Sequence, residues 1–278
     1  MHVKVQKIVG RTLVHVLMLA ACVFFLVPFV IMLSTSLKAL KECMKYPVTW
    51  LPANWLWDNY PKVFELIPFL TYMGNSLLVT LLNMLGVALT CPLVAYSLAR
   101  MEWRGKNTLF FITLAVMMIP YQVIMIPIYM IFSRMKLVGT FAPLILPQYF
   151  GIPFFIFLLR QFFKGLPKDL DDAARVDGCP EPLIYFRIFL PLCAPAILTV
   201  VIFQMLNSWN DFNGPLIYLQ KSSMYTLQIG LQQFKSQHAT DWPHMMAASV
   251  MTSAPIIILF FFMQKRFIEG VTFTGIKG

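Results

Sequence analysis

The sequence predicts an all-α integral membrane protein: six transmembrane helices, with a cytoplasmic helical loop between the fourth and the fifth. Three observations carry this expectation. The chain is 59% hydrophobic and only 12% charged, about half the charged fraction of a soluble domain. Six runs contain no Asp, Glu, Lys or Arg: 13–37, 66–99, 107–133, 137–159, 188–210 and 242–264, of 25, 34, 27, 23, 23 and 23 residues. A helix crossing the hydrocarbon core needs roughly 20 residues and satisfies its backbone hydrogen bonds internally. With both termini inside, the cytoplasmic segments hold 14 of the 22 Lys and Arg residues. That is the positive-inside bias. The formal net charge of +10 is therefore topological, and no nucleic-acid partner is expected.

The first helix covers about 13–36. The start, "MHVKVQKIVGRTLVHVLMLAACVFF", imitates a lipoprotein signal with Cys22 as the acylated residue. The apolar run continues through Phe24, Leu26, Phe29, Val30 and Leu33, which favours a spanning helix over a removed signal. An outer segment with four prolines and three tryptophans follows. Its Trp50, Trp55 and Trp57 suit a membrane–water interface. A proline-broken approach at 66–69 leads to the second helix, 75–99. The third, 108–132, contains Pro120 and Pro127 and is expected to kink. The fourth, 141–160, is interrupted by Pro143, Pro147 and Pro153. The fifth and sixth cover 191–210 and 244–264. No internal repeat is visible, so residues 1–278 read as a single membrane domain.

Enzymatic motifs are missing. The stretch "RGKNT" at 104–108 lacks the glycine spacing of a phosphate-cradling loop, and no H-E-x-x-H, C-x-x-C or G-x-S-x-G occurs. Of the cysteines at 22, 43, 91, 179 and 193, only Cys43 faces the oxidising side in this topology, and their spacing suggests neither a disulfide framework nor a metal site. No catalytic residue, metal ligand or cofactor is expected.

The densest acidic cluster lies in "DLDDAARVDGCPEPLIYFRIFLPLCAP", 169–195. Pro167 suits a first helical turn, and Asp169, Asp171 and Asp172 follow where the helix dipole favours negative charge. Leu170, Ala173, Ala174 and Asp177 share one face by i, i+3, i+4, i+7 spacing. Gly178 stands where a helix end tolerates positive φ. Such an element is either an interfacial re-entry loop with well-capped ends or a rigid knob for a cleft on a cytosolic partner. In the fifth helix, Asn207, Asn210 and Asp211 recur at i, i+3, i+4, with Trp209 nearby. They either line a water-filled path, where amides suit sugar hydroxyls and Trp209 could stack on a sugar ring, or bond neighbouring helices. Asn75, Asn83, Gln122, Gln148, Tyr149 and Gln204 are weaker candidates of the same kind. The 18 methionines suit adaptable packing.

Asp172-Ala173-Ala174, Asp177-Gly178 and then Ile188 and Pro191 resemble the EAA loop of permease subunits of ABC importers. The flanking blocks "FIFLLRQFFKGLPKDLDDAARVDG", "LNSWNDFNGPLIYL", "MMIPYQVIMIPIYMIFSRMKLVGT" and "GVTFTGIKG" are similar in order to the carbohydrate-uptake branch, MalG-type. Asp172 stands where that family usually has Glu, one methylene shorter.

The resemblance implies a coupling helix between spans 4 and 5. It would dock through Asp172, Ala173, Ala174, Asp177 and Gly178 on an ATPase subunit that binds ATP and Mg. The tail, with Gly270, Thr274, Gly275, Lys277 and Gly278, would reach between two such subunits. It also implies a homologous MalF-type permease, two ABC ATPases, an extracytoplasmic sugar-binding protein and a bacterial or archaeal inner membrane. By the same resemblance the second permease makes most substrate contacts, and Asp211 is an alternative contact for an outer gate or the docked binding protein. The expected cargo is an oligosaccharide, with a polyol or glycerol phosphate as the alternative. No Lys or Arg is expected inside the spans, which favours a neutral sugar. The rival classes are a self-contained secondary transporter and a non-transporting scaffold subunit.

Overall fold

The computed structural model describes the backbone of residues 2–235 and 240–272 and the side chains of 10–235 and 240–262. The described residues form no β-strand. The principal helices are α1 (His2–Ser36), α2 (Asn59–Leu66), α3 (Phe69–Arg100), α4 (Lys106–Met117) and α5 (Tyr121–Arg134). They continue as α6 (Pro153–Gly165), α7 (Asp169–Val176), α8 (Glu181–Leu192), α9 (Ala194–Trp209), α10 (Asn213–Tyr218) and α11 (Trp242–Thr272). Four stretches are long and apolar enough to cross a membrane: Gly10–Ser36, Phe69–Arg100, Ala142–Gly165 and Trp242–Phe262. Two bent pairs, α4 with α5 at 103° and α8 with α9 at 75°, raise the number to six if each is one span.

The bends revise the sequence reading. The single kinked helix expected over 108–132 is two helices. Pro120 offers no amide hydrogen, sits in extended backbone at ψ 137°, and disfavours helical dihedrals in the residue before it. Pro127 stays inside α5. The expected 141–160 helix is a turn at Ala142–Ile145, a 3-10 turn at Leu146–Phe150, and α6. Gly151, at φ +85°, separates them. The helix expected at 75–99 starts at Phe69, directly after Pro68, and the one expected at 191–210 begins at Ala194 past the bend.

The described chain packs as two compact units. One contains the residues up to Phe69 together with Leu231–Pro255, and the other Leu70–Gly230 with the residues from Ile256 onward. In the first, residues 16–33 of α1 are apolar on every face, with Phe24 and Leu19 on the outside, the pattern of a helix that needs lipid or protein around it. Its last carbonyls lack partners within the helix. Buried Asn59 supplies one at the end, its amide donating to Ser36 O at 2.9 Å, and it also bonds Lys38 O just beyond the helix at 3.0 Å.

In the second unit, Tyr96 of α3 meets Phe163 of α6 and Phe189 of α8, with ring centroids 5.8 and 5.3 Å away. Phe110 of α4 stacks on Phe157 of α6 at 6.3 Å. Arg160, expected at the cytoplasmic edge of the fourth helix, is not left in solvent. It is buried within α6, its guanidinium 3.6 Å above the Phe110 ring, and its Nε donates to Leu98 O at 3.1 Å. Those contacts occupy the charge within the packing.

Candidate functional site

Two places in the second unit combine the chemistry that the sequence singles out. The first is α7 and its exit turn. Asp169, Asp171 and Asp172 fill the first turn of α7 and Arg175 its last, both favourable to the helix dipole. The helix closes as a Schellman turn. Gly178 N–H donates to Arg175 O at 3.0 Å, Cys179 N–H to Ala174 O at 3.0 Å, and Gly178 adopts φ +74°. A Cβ at Gly178 would meet nothing within 4 Å, so the dihedral alone calls for glycine.

The other side of α7 is sewn into the chain's own body. Asp171 Oδ2 lies 2.7 Å from Arg100 Nη2, with both side chains buried. Arg100 also donates to Leu166 O at 3.0 Å and Pro167 O at 2.6 Å, and lies 4.8 Å over Phe189. Burial pushes the Asp171 carboxyl above the usual carboxylate range although Arg100 pulls the other way. Nearby, Glu181 accepts from Tyr96 Oη at 3.1 Å and from Arg175 Nε at 2.9 Å. The end of α3 therefore grips both α7 and the start of α8.

This narrows the small-residue face read from the sequence. Ala174 is buried in the chain's own core, while Asp172, Ala173, Asp177 and Gly178 are exposed together with Val176. A helix of eight residues cannot turn Leu170, Ala173, Ala174 and Asp177 all outward while Asp171 points in. The expected tail residues Thr274, Gly275 and Lys277 lie outside the described residues.

The second place is a cavity of about 680 Å³, within the range of small-molecule sites. From α9 it takes Gln204, Asn207 and Ser208, and just beyond α9, Asp211. At 100° per residue these positions fall on one stripe of the helix. Ser76 and Asn83 of α3, Tyr121 of α5, Gln148 and Thr226 complete the polar lining. Asn83 Nδ2 donates to Ser208 Oγ at 2.6 Å. Gln204 Nε2 reaches Ser208 Oγ at 3.2 Å and Gln148 Oε1 at 3.3 Å. Such a lining reads hydroxyls and offers no nucleophile–base pair.

Four candidates from the sequence stand elsewhere. Trp209 is buried, and its carbonyl accepts from Gln228 at 3.2 Å. It sits about 200° around the helix from Asn207, away from the lining. Asn210 turns back to bond Leu206 O at 2.9 Å. Asn75 spends its amide on Ser223 O and Tyr225 O at 3.0 and 2.9 Å, which tethers a loop. Gln122 is exposed, while its neighbour Tyr121 lines the cavity.

Asp211 is fixed by the motif "NDFNGPL". Its Oδ1 accepts Gly214 N–H at 3.0 Å, which satisfies one amide of the first turn of α10. A Cβ at Gly214 would lie 2.5 Å from Asp211 Oδ2 and 3.0 Å from Leu144 Cδ2. Gly214→Ala is therefore expected to destabilise the assembled protein by about 1–3 kcal/mol through overpacking. Thermal unfolding of the purified protein, compared with the parent, checks it.

Residues 88–272 match the family of binding-protein-dependent transport system inner membrane components. The chain is 37% identical over 254 residues to the arabinooligosaccharides transport system permease AraQ of Halalkalibacterium halodurans, covering 90% of this chain and 91% of that one. It is 31% identical to the melibiose/raffinose/stachyose import permease MelC of Bacillus subtilis, covering 94% of each. A chain from the crystal structure of a bacterial ABC transporter that imports the acidic polysaccharide alginate shares its fold. Their TM-score is 0.77 at 22% identity, over 95% of this chain and 97% of that one.

Proposed function

Because the chain belongs to the binding-protein-dependent transport system inner membrane components, we propose that it is the permease subunit of an ATP-driven oligosaccharide importer. It is a transport subunit of the membrane and not an enzyme. In this reading it forms half of the translocation pathway, pairs with a homologous second permease and receives cargo from an extracytoplasmic sugar-binding protein. Each permease rests on one of two ATPase subunits, and both termini of this chain face the cytoplasm. Sugar cargo is supported by the relatives, whose own names specify arabinooligosaccharides and melibiose, raffinose or stachyose.

The observation that carries the proposal is α7. Its outer face leaves Asp172, Ala173, Asp177 and Gly178 free, while the buried Asp171–Arg100 pair binds its inner face to the end of α3. A partner that moves the exposed face would therefore move α3, and α3 supplies Ser76 and Asn83 to the cavity. One helix thus joins a docking surface to a polar path. Acids on the docking face would select a basic cleft and fix its orientation.

The test is gentle purification from native membranes with a tag at Met1, followed by mass spectrometry and an ATPase assay. Recovery of a P-loop ATPase and a second multi-span permease is expected. A chain that comes down alone and transports in liposomes without ATP would refute the proposal in favour of a secondary transporter.

A further inference from the structure

The following inference rests on the transport reading and adds what the cavity takes. The geometry points to a ligand site on this chain itself, fitted to an uncharged, hydroxyl-rich segment of the transported molecule and set against anions by Asp211. All the lining residues belong to one compact unit, so no second permease is needed to assemble these groups.

Two of them are buried, and each leaves one polar atom without a partner. Asn83 is 4% exposed and Thr226 5%, and neither Asn83 Oδ1 nor Thr226 Oγ1 has a hydrogen-bond partner. A buried polar atom left unsatisfied is costly, and both residues border the same cavity. A ligand that draws either side chain toward the cavity would find there an acceptor and a hydroxyl with no other partner.

The remaining lining shows what kind of ligand that is. Ser208 Oγ takes hydrogens from both Asn83 and Gln204, which leaves its own hydroxyl proton to donate outward. Asn207 lies exposed at the cavity edge with both amide functions. The site thus alternates acceptors, hydroxyls and donors around one space. A sugar hydroxyl donates and accepts together and matches such a lining, whereas an alkyl chain would leave its polar atoms unpaired.

Charge narrows the class further. Asp211 is the one carboxylate in the lining, which contains no Lys, Arg or His among the described residues. A uronate, sulfonate or phosphate would enter beside a negative charge with no cation to offset it.

The experiment uses the intact complex, purified through this chain with its ATPase activity present. A cysteine replaces Asn207, and labelling there is measured above that of the native cysteines. Matched neutral, cationic and anionic methanethiosulfonates are the probes. The anionic reagent is expected to react more slowly than the neutral one by roughly fivefold or more. Asp211→Asn, which keeps the acceptor for Gly214, should remove most of that difference. Raffinose, arabinotriose and maltotriose are then added in turn, with trigalacturonate as the anionic counterpart. At least one neutral trisaccharide should slow labelling while trigalacturonate does not. Equal rates for neutral and anionic reagents, no labelling at 207, or no protection by any neutral sugar would overturn the inference. Each of those can occur in a complex that still hydrolyses ATP, and the transport reading would then survive. Loss of the ATPase from the preparation would instead sink the transport reading itself.

Discussion

Gly178→Pro is expected to leave the chain in the membrane and abolish uptake while the partner ATPase continues to hydrolyse ATP. Two physical conflicts meet at this position. Gly178 sits at φ +74°, and the proline ring holds φ near −65°. Proline also removes the amide that donates to Arg175 O at 3.0 Å. A distortion of about 3 kcal/mol shifts the population of the native turn roughly a hundredfold. The damage should stay local, because a Cβ here touches nothing within 4 Å. Gly178→Ala separates the causes: it keeps the amide and pays only left-handed strain of about 1–2 kcal/mol. Alanine should therefore give partial coupling where proline gives none. Uptake per ATP hydrolysed in proteoliposomes is the measurement, with membrane abundance as control. Unimpaired uptake by the proline variant would count against α7 as the coupling element.

How much of this was legible beforehand depends on the range of the interaction. The helical, membrane-embedded class follows from runs without charge, and the acidic helix with its glycine exit follows from capping rules acting within four residues. The break at Pro120 was visible as a proline, but its size was not. Whether a proline kinks a helix, as Pro127 is accommodated in α5, or ends it at 103° depends on what packs on either side. In the candidate site, Asn207 and Asp211 could be placed on one stripe by periodicity alone. Trp209 joins them by its chemistry alone, for the same periodicity turns it away. Ala174 packs inside the chain, because an amphipathic stripe does not say which side is the core, and here that side is set by Asp171. Nothing in the sequence paired Asp171 with Arg100, since 71 positions separate them. The one available signal was that Arg100 ends the second apolar run just where a charge must find company.

That pair sets the second large effect. Removing one partner of a buried ion pair strands the other and costs about 3–5 kcal/mol. Arg100→Ala should exceed Asp171→Asn, because Arg100 also holds Leu166 O and Pro167 O. Asp171→Asn keeps the shape of its acceptor and leaves those two carbonyl bonds in place. Replacing both residues, Arg100→Met with Asp171→Leu, should recover much of the stability lost by Arg100→Met alone, since neither charge of the pair is then left buried without its partner. The four-member cycle of thermal unfolding on the purified complex gives the coupling between the two sites. Stability and transmission then part company. If the pair is only a packing device, the double variant regains uptake along with its melting temperature. If the pair carries motion from α7 into α3, the double variant melts like the parent yet hydrolyses ATP with reduced uptake. The latter is expected, because a hydrophobic contact can hold α7 in place but slides more easily than a guanidinium fixed at three oxygens within 3.0 Å. Full recovery of uptake would show that α7 is coupled through its packing against α8, and that Arg100 only stabilises the fold.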